Sequence, residues 1–564
     1  MRKGNSRRSS RASKKILCVR NSRRQKICLP RFLLIYRDTS PRTARLRSSR
    51  IRFRLSPISF TPIRSKPILR AARMNARICR TGLGALCARC LCLKRLAEWA
   101  SLRSHWVWTA EVFSLGIPVA VVFWWSFYEE RDPGRFLEKA IEYASGGKIG
   151  PKQISSDRDR VDVLANLLRQ SRFLQVLDGF ERVLRAYARM DAAYRGDEVD
   201  EDARNDYRAC TDPNIGIFLK CLASGGTLTK TLITSRLFPR ELDGLDGVRH
   251  LQLTGMDAAD AVEFFHKQGI KGTHVEIETA CAAYGFHPLT LRLLAGALRQ
   301  DPRYHAGITN APRVEMREAD KDKRMQRMLE FAYNSLPPQD QKLLSQLAAF
   351  RSPMKWETIE AIFCDVIASA EGAKQSPTSE LGIASSQKPL LAMTMTKGDL
   401  ARAISNLAER GLYMRDSVTD TLDLHPVIRR YCYGRLSDPA PTHARFVVYF
   451  VKIETPKKIQ SLADLQATIE LYHHTVRAGK YDEAYRPFRD RIAKPTYFQL
   501  GAYQLQIELL RVVFPGGEDK PPRLKEESQQ ASALNDLAGA CALAGQPRRA
   551  AVGARYRDFR ENWR

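Results

Sequence analysis

The spacing of hydrophobic positions divides the chain into stretches with different rhythms. From Val119 the run "VAVVFWWSF" is continuously β-branched and aromatic, which predicts a buried strand. "DPGRFLEKAIEYAS" follows with helical spacing: Asp132 as N-cap, Pro133 in the first turn, and Phe136, Leu137, Ala140, Ile141 and Ala144 on one face. "DRDRVDVLANLLRQ" predicts a second helix, "RFLQVLD" a second buried strand, "IGIFLKCLAS" a helix and "TKTLITSR" a third strand ending in polar residues. An acidic insert, "RGDEVDEDARNDYRACTDPN", reads as a loop. Strands alternating with helices predict a parallel, three-layer α/β sheet, whose ligands bind at the carboxyl ends of the strands. Asp178 and the pair Ser235–Arg236 fall at such ends.

Beyond residue 255 the pattern turns helical. "MDAADAVEFFHKQG", "HVEIETACAAYG" and "HPLTLRLLAGALRQ" predict three short helices, and residues 323–436 hold four more, with a loop-like interruption near 373–390. "LYMRDSVTDTLDLHP" alternates as a hairpin would, with its turn at Asp416–Asp420; helices followed by a hairpin fit a winged helix. In the last ~120 residues, "YHHTVRAGKYDEAYRPF" and "LNDLAGACALAGQPRRAA" share a helix–Gly–helix cadence expected of stacked helical hairpins.

Residues 1–110 break with all of this. They hold 29 Lys/Arg against two acids, Asp38 and Glu98, and so carry +27 of the chain's +31. The rest is nearly neutral, which removes the overall basicity as a reason to assign nucleic-acid binding to the body. Stretches such as "RTARLRSSRIRFR" show neither helical nor strand period. Three explanations compete for them: a basic arm for nucleic acid or membrane, an organelle presequence, and DNA translated in the wrong frame or from too early a start. The six later cysteines show no framework spacing and point to a reducing cytoplasm. Cys87, Cys90 and Cys92 form C-x-x-C-x-C, but no second ligand pair completes a tetrahedral zinc site. The longest uncharged run, 17 residues between Glu111 and Glu129, is broken by Pro118 and is better matched to a buried strand than to a membrane span.

Four stretches carry a resemblance when taken in order. "FLQVLDGFE" resembles the Walker B strand of the NB-ARC-type, signal-transducing STAND ATPases, and "TLITSRLFPREL" resembles their sensor strand. "YGFHPLTLRLLAGAL" is similar to their Gly-x-Pro-Leu helix, and "LDLHPVIRRY" to the histidine motif that closes their winged helix. The C-terminal hairpins resemble a bacterial branch in which tetratricopeptide repeats follow the ATPase module. The resemblance covers roughly residues 119–436. It implies an ATP/ADP-binding switch with Mg²⁺, regulated homo-oligomerisation, and a protein partner on the repeats. It also implies roles. Asp178 would hold Mg²⁺ and Glu181 would orient the attacking water. Arg236 would report on the γ-phosphate, Pro288 would pack on adenine, and His425 would touch the diphosphate. For each, the residues alone leave a plain structural role open: a turn-capping aspartate, a first-turn helix acid, a loop arginine, a helix-start proline and a buried histidine.

One part of the pattern is absent. No G-x-x-x-x-G-K-[ST] occurs anywhere in the chain. Where the family layout expects it stands "RTGLGALCARCLCLKRLAEW", inside the abnormal basic segment. The sequence therefore predicts a P-loop NTPase-like α/β core with its first strand and P-loop missing, followed by helical, winged-helix and helical-hairpin regions. The expected divisions are 1–110 (basic, non-native or disordered), 111–255 (nucleotide-binding core), 256–322 (helical), 323–436 (winged-helix-like) and 437–564 (repeats). Catalysis is expected to be defective, and the alternatives are a non-enzymatic scaffold using the repeats or a nucleic-acid binder using the basic arm.

Overall fold

The computed structural model describes residues 17–20, 26–29, 90–94 and 121–546, apart from short stretches at 151–152, 155, 196–206, 225–227, 253–254, 312–320, 365–394, 417–419 and 519. The loops expected near 373–390 and within 196–206, the "TGLG" stretch and the C-terminal residues after 546 lie outside the described residues. Two compact units result, Met1–Arg54 and Leu55–Arg564. In the first, β1 (Leu17–Arg20) and β2 (Lys26–Leu29) pair as an antiparallel hairpin.

The second unit is built on a five-stranded parallel sheet. Its strands in chain order are β3 (Cys90–Lys94), β4 (Val121–Ser126), β5 (Phe173–Asp178), β6 (Lys230–Ser235) and β7 (Val248–Gln252). The spatial order is β4-β5-β6-β3-β7, every pair parallel. The expectation of a missing first strand is corrected here: Cys90–Lys94 occupies the inner position, hydrogen-bonded to β6 on one side and β7 on the other. The sheet thus reaches back beyond residue 111, into the segment read as outside any fold. The cause of the misreading is physical. A strand buried in a parallel sheet needs only a short apolar run and no alternation. In "CLCLK" that run is four residues long, half of them cysteine, and it is flanked by Arg89, Lys94 and Arg95. β7, "VRHLQ", was likewise not anticipated.

Between β4 and β5 run α1 (Pro133–Ala144) and α2 (Asp157–Gln170). Asp132 caps α1 by accepting from the Gly134 amide, and Phe136, Leu137, Ala140 and Ile141 are buried as the spacing requires. After β5 come a 3₁₀ turn at Phe180–Val183, the short helices α3 (Arg185–Ala188) and α4 (Ala192–Arg195), and α5 (Pro213–Ala223), which leads to β6. Phe136, Leu164, Leu177, Phe180, Phe218 and Ile233 join helices and strands in one hydrophobic core.

The helical region follows. α6 (Ala258–Lys267), α7 (His274–Ala283) and α8 (Pro288–Gln300) are the three expected helices, α7 opening on a Thr273/Glu276 capping box. Next come α9 (Lys321–Asn334), α10 (Pro338–Leu347), β8 (Met354–Lys355), α11 (Trp356–Phe363) and α12 (Lys397–Glu409). β9 (Met414–Asp416) and β10 (Thr421–Asp423) form the expected hairpin, to which β8 adds a third antiparallel strand. α13 (Pro426–Tyr433) and α14 (Ala440–Phe450) close this part. A single hydrophobic cluster runs from Ala261 to Leu471 through all of it.

A third cluster belongs to the C-terminal helices α15 (Gln466–Arg477), α16 (Tyr481–Pro487), α17 (Tyr503–Arg511) and α18 (Glu527–Leu543). Gly479, at φ 82°, turns α15 into α16, and Gly545, at φ 69°, ends α18. No helix among the described residues is long and apolar enough to cross a membrane.

Candidate functional site

The sheet order places a ligand crevice by itself. The connection leaving β3 must travel towards the far edge, where β4 lies, whereas the connection leaving β6 passes over β3 to β7. The winding direction reverses beside β3, and in open parallel sheets ligands bind at the carboxyl ends of strands at such a reversal. Of the strands that border β3, β6 ends in Ser235 and Arg236; the next strands outward, β5 and β4, end in Asp178 and Ser126.

Asp178 ends β5 and is 2% exposed; its Oδ1 accepts a hydrogen bond from Thr234 Oγ1 at 2.6 Å. The same Thr234 hydroxyl accepts from the Gly179 amide at 3.1 Å, so one threonine on β6 fixes both the carboxylate and the turn behind it. Gly179 has φ 69°, and a Cβ there would stand 2.4 Å from the ring of Tyr128. Only glycine accepts both conditions without strain. Tyr128 thereby lies across the turn. Its hydroxyl donates to Glu181 Oε1, and the Arg182 guanidinium sits 4.9 Å from its ring centroid.

Glu181 is fully buried and stands in the 3₁₀ turn after β5. Its carboxylate is 3.4 Å from Arg236 Nε, and the Arg236 amide donates to it at 3.4 Å. The two residues read separately from the sequence, a water-orienting acid and a phosphate-sensing base, are therefore brought together as a buried ion pair, with side chains 0% and 3% exposed. Beside them the hydroxyls of Ser126 and Ser235 are buried with no hydrogen-bond partner among the described residues. Buried polar atoms are ordinarily satisfied, so two orphaned hydroxyls flanking a strand-end carboxylate mark a place built for a polar guest. Hard oxygen donors of this kind fit a hydrated Mg²⁺. Ser235 falls at a strand end already read from the sequence, whereas Tyr128 and Ser126 were not singled out; for Ser126 the only signal is its place as the polar residue ending an apolar run.

Pro288 and His425 belong to the helical region. Pro288 is the first residue of α8 and is half-buried. The chain reaches it through two consecutive left-handed residues, Gly285 (φ 64°) and Phe286 (φ 52°). A bulky residue in that region costs about 1–2 kcal/mol, and such strain is typically concentrated at functional segments. His425 is 1% exposed and caps α13, its Nδ1 accepting from the Val427 amide at 3.2 Å. With Nδ1 occupied as an acceptor, the neutral ring carries its proton on Nε2. Asp178 with Thr234, and Glu181 with Tyr128 and Arg236, form two adjacent groups of contacts at the ends of β5 and β6, while the His425–Val427 bond lies at the start of α13.

No family model matches the chain. One curated relative is an uncharacterised WD-repeat-containing protein of Nostoc, 24% identical over 248 residues, which are 43% of this chain and 18% of that protein. The chain thus spans under a fifth of that relative's length. Among solved structures, a STAND protein with a tetratricopeptide repeat sensor from Pyrococcus horikoshii aligns at 14% identity and a TM-score of 0.40, over 89% of this chain and 64% of that one. A Walker-type ATPase of Pyrococcus abyssi aligns at 14% identity and a TM-score of 0.26, over 64% of this chain and 94% of that one.

Proposed function

We propose that the chain is a nucleotide-dependent switch module of STAND type, with its ligand at the carboxyl ends of β5 and β6. The observation that carries this reading is the buried Glu181–Arg236 pair, set next to the strand-end carboxylate of Asp178 and following β6, the strand that borders the winding reversal. Asp178 holds a hydrated Mg²⁺, with the Ser126 and Ser235 hydroxyls within its surroundings. Arg236 is the switch residue: a γ-phosphate competes with Glu181 for the guanidinium, and a released Glu181 is then able to orient water. Pro288 packs on adenine and His425 contacts the diphosphate, coupling the helical region to the nucleotide. The C-terminal hairpins take a protein partner, and oligomerisation follows opening. The ion supplies charge neutralisation for the phosphates; the chain supplies position.

The phosphate cradle is where this module falls short. Backbone amides of a glycine-rich loop and its lysine provide most of the affinity for di- and triphosphates, and no such motif occurs in the sequence. MgATP is accordingly expected to bind no tighter than the millimolar range, with turnover at background. Calorimetry and thermal unfolding of the full chain test both halves of the proposal. Micromolar affinity would overturn the defect and point to an unrecognised phosphate site. Indifference of the melting temperature to millimolar MgADP and MgATP would remove the nucleotide itself. The same absence of a cradle favours a second reading, a non-enzymatic scaffold whose α15–α18 hairpins bind protein. Peptide capture by those hairpins within the full chain, unaffected by nucleotide, would support it.

A further inference from the structure

Away from the sheet, three histidines meet where α14, α15 and α4 pack together. His443 comes from α14, His473 and His474 are consecutive on α15, and all three are at most 1% exposed. One ring nitrogen from each lies within 4.8 Å of the other two. Helical spacing alone does not produce this: consecutive residues on a helix diverge by about 100°. The pocket is assembled by Tyr194, which stacks on Tyr433 at 4.1 Å and on His473 at 5.7 Å between centroids.

Each imidazole has an oxygen facing its Nε2. Tyr433 Oη stands 2.9 Å from His443 Nε2, Tyr194 Oη stands 2.9 Å from His473 Nε2, and Glu470 Oε2 stands 3.7 Å from His474 Nε2. Counting protons fixes one tautomer. Tyr194 donates its single hydroxyl proton to the Ala349 carbonyl at 2.7 Å, so at the other contact His473 must donate through Nε2–H. Its Nδ1 is then a bare lone pair, fully buried and without a hydrogen-bond partner among the described residues. The Nδ1 atoms of His443 and His474 face each other at 2.8 Å, a separation at which they share one proton.

We infer that these three histidines form a binding site for a divalent late first-row transition ion of the Zn²⁺ class, ligated through Nδ1, with the Nε2 atoms of His443 and His473 held by Tyr433 and Tyr194 and the Glu470 carboxylate 3.7 Å from that of His474. Nitrogen ligands select this class of metal, and an oxygen partner on the second ring nitrogen is the usual support of a ligating histidine. Zn–N bonds of about 2.0–2.1 Å put tetrahedral nitrogens roughly 3.3 Å apart, so the 2.8 Å pair spreads slightly and His473 moves in. Of the nearby cations, Arg351 is committed to Glu470 through bonds of 2.8 and 3.2 Å, and Arg477 lies 5.2 Å from the Tyr194 ring centroid. A bound ion would pin α14 to α15 directly, and α4 would be held against them through Tyr194.

The test is a Co²⁺ titration of the untagged full chain after chelator treatment, followed by displacement with Zn²⁺. One equivalent of Co²⁺ with the visible absorption of a tetrahedral site, and a raised melting temperature, are expected. His473→Gln and His443→Gln should each weaken binding at least ~100-fold, and Tyr194→Phe about tenfold. His274→Gln, at an exposed helix start, should change nothing. Absence of the absorption in the unmodified chain, or the same affinity in His473→Gln, overturns the assignment. Should a glutamine variant unfold, the spectrum of the unmodified chain still decides.

Discussion

The strand-end cluster and the histidine junction are both buried, and both contain a buried glutamate–arginine pair: Glu181–Arg236 in one, Glu470–Arg351 in the other. They differ in how the chain assembles them. At the strand ends, Asp178, Gly179 and Glu181 lie within four residues, and Ser235 and Arg236 are consecutive. Parallel pairing brings the two short segments side by side, with Leu177 opposite Ile233. At the junction, residues 194, 349–351, 433, 443 and 470–474 converge through helix packing alone. A site at a strand end is written in local sequence; a site between helices exists only once the helices have docked.

The largest expected effect comes from breaking one of these pairs on one side only. Arg236→Met leaves Glu181 buried without its cation, and loss of a partner from a buried pair costs about 3–5 kcal/mol. Adding Glu181→Gln to it should restore much of the loss, because the orphaned charge is then gone. Chemical denaturation of both variants measures the difference. As a reference, Arg415→Ala removes an exposed pair with Asp420, where the change should be about 0–1 kcal/mol. Equal costs at both pairs would mean that the buried one is solvated and carries no switch.

Next in size is Gly179→Ala. The left-handed backbone and the 2.4 Å approach to Tyr128 together should cost about 1–3 kcal/mol. Tyr128→Ala in the same chain should recover the steric part and leave the conformational part. A substitution at Gly479, also left-handed but with nothing within 4 Å, isolates that conformational part for comparison. If the three variants are equally stable, Tyr128 does not lie against the turn.

The legible and illegible parts of the molecule divide along the same line. "VVFWWS", "FLQVLD" and "KTLITS" announced themselves because a long apolar run ending in a polar residue has few other uses. Asp132, Pro133 and the apolar face of α1 were readable because a cap and a 3.6-residue period are local. "CLCLK" was not readable: five residues inside a cationic segment carry no period, and its place between β6 and β7 depends on partners more than 130 residues away. Tyr128 escaped because its role depends on the bare Cα of Gly179, and Ser126 because a serine at a strand end is commonplace; Ser235 was legible only through its place beside Arg236. His473 and His474 fall within the helix–Gly–helix cadence and His443 outside it, and their convergence depends on Tyr194 and Ala349, over a hundred residues upstream of His473.

A smaller effect separates two roles for His425. As a helix cap it should contribute about 1 kcal/mol, the usual worth of an N-cap hydrogen bond, so His425→Asn should be nearly neutral and His425→Ala destabilising. As a nucleotide contact it should also set the preference for ADP over ATP. The shift of melting temperature with each nucleotide, measured on both variants, distinguishes the roles. A lower melting temperature in His425→Ala with an unchanged preference assigns the residue to the cap alone.

The smallest effect has the opposite sign. Ser126 and Ser235 hold buried hydroxyls with no partner among the described residues, and an unsatisfied buried hydroxyl is a net cost to folding. Replacing either by alanine removes that cost and one oxygen atom, leaving a void too small to matter greatly. If these oxygens serve only the fold, the serines gain nothing by being there, and Ser126→Ala should be neutral or stabilising by up to about 1 kcal/mol with no other consequence. If they surround an ion held by Asp178, the same substitution should stabilise the free chain and weaken the response to Mg²⁺ at once. Stability bought at the expense of a ligand is a common mark of a functional position. Denaturation midpoints with and without millimolar Mg²⁺, for Ser126→Ala, Ser235→Ala and the unmodified chain, read both quantities from one experiment. A gain in stability with an undiminished Mg²⁺ response would move the ion away from these strand ends, and with it the reason to single out Asp178.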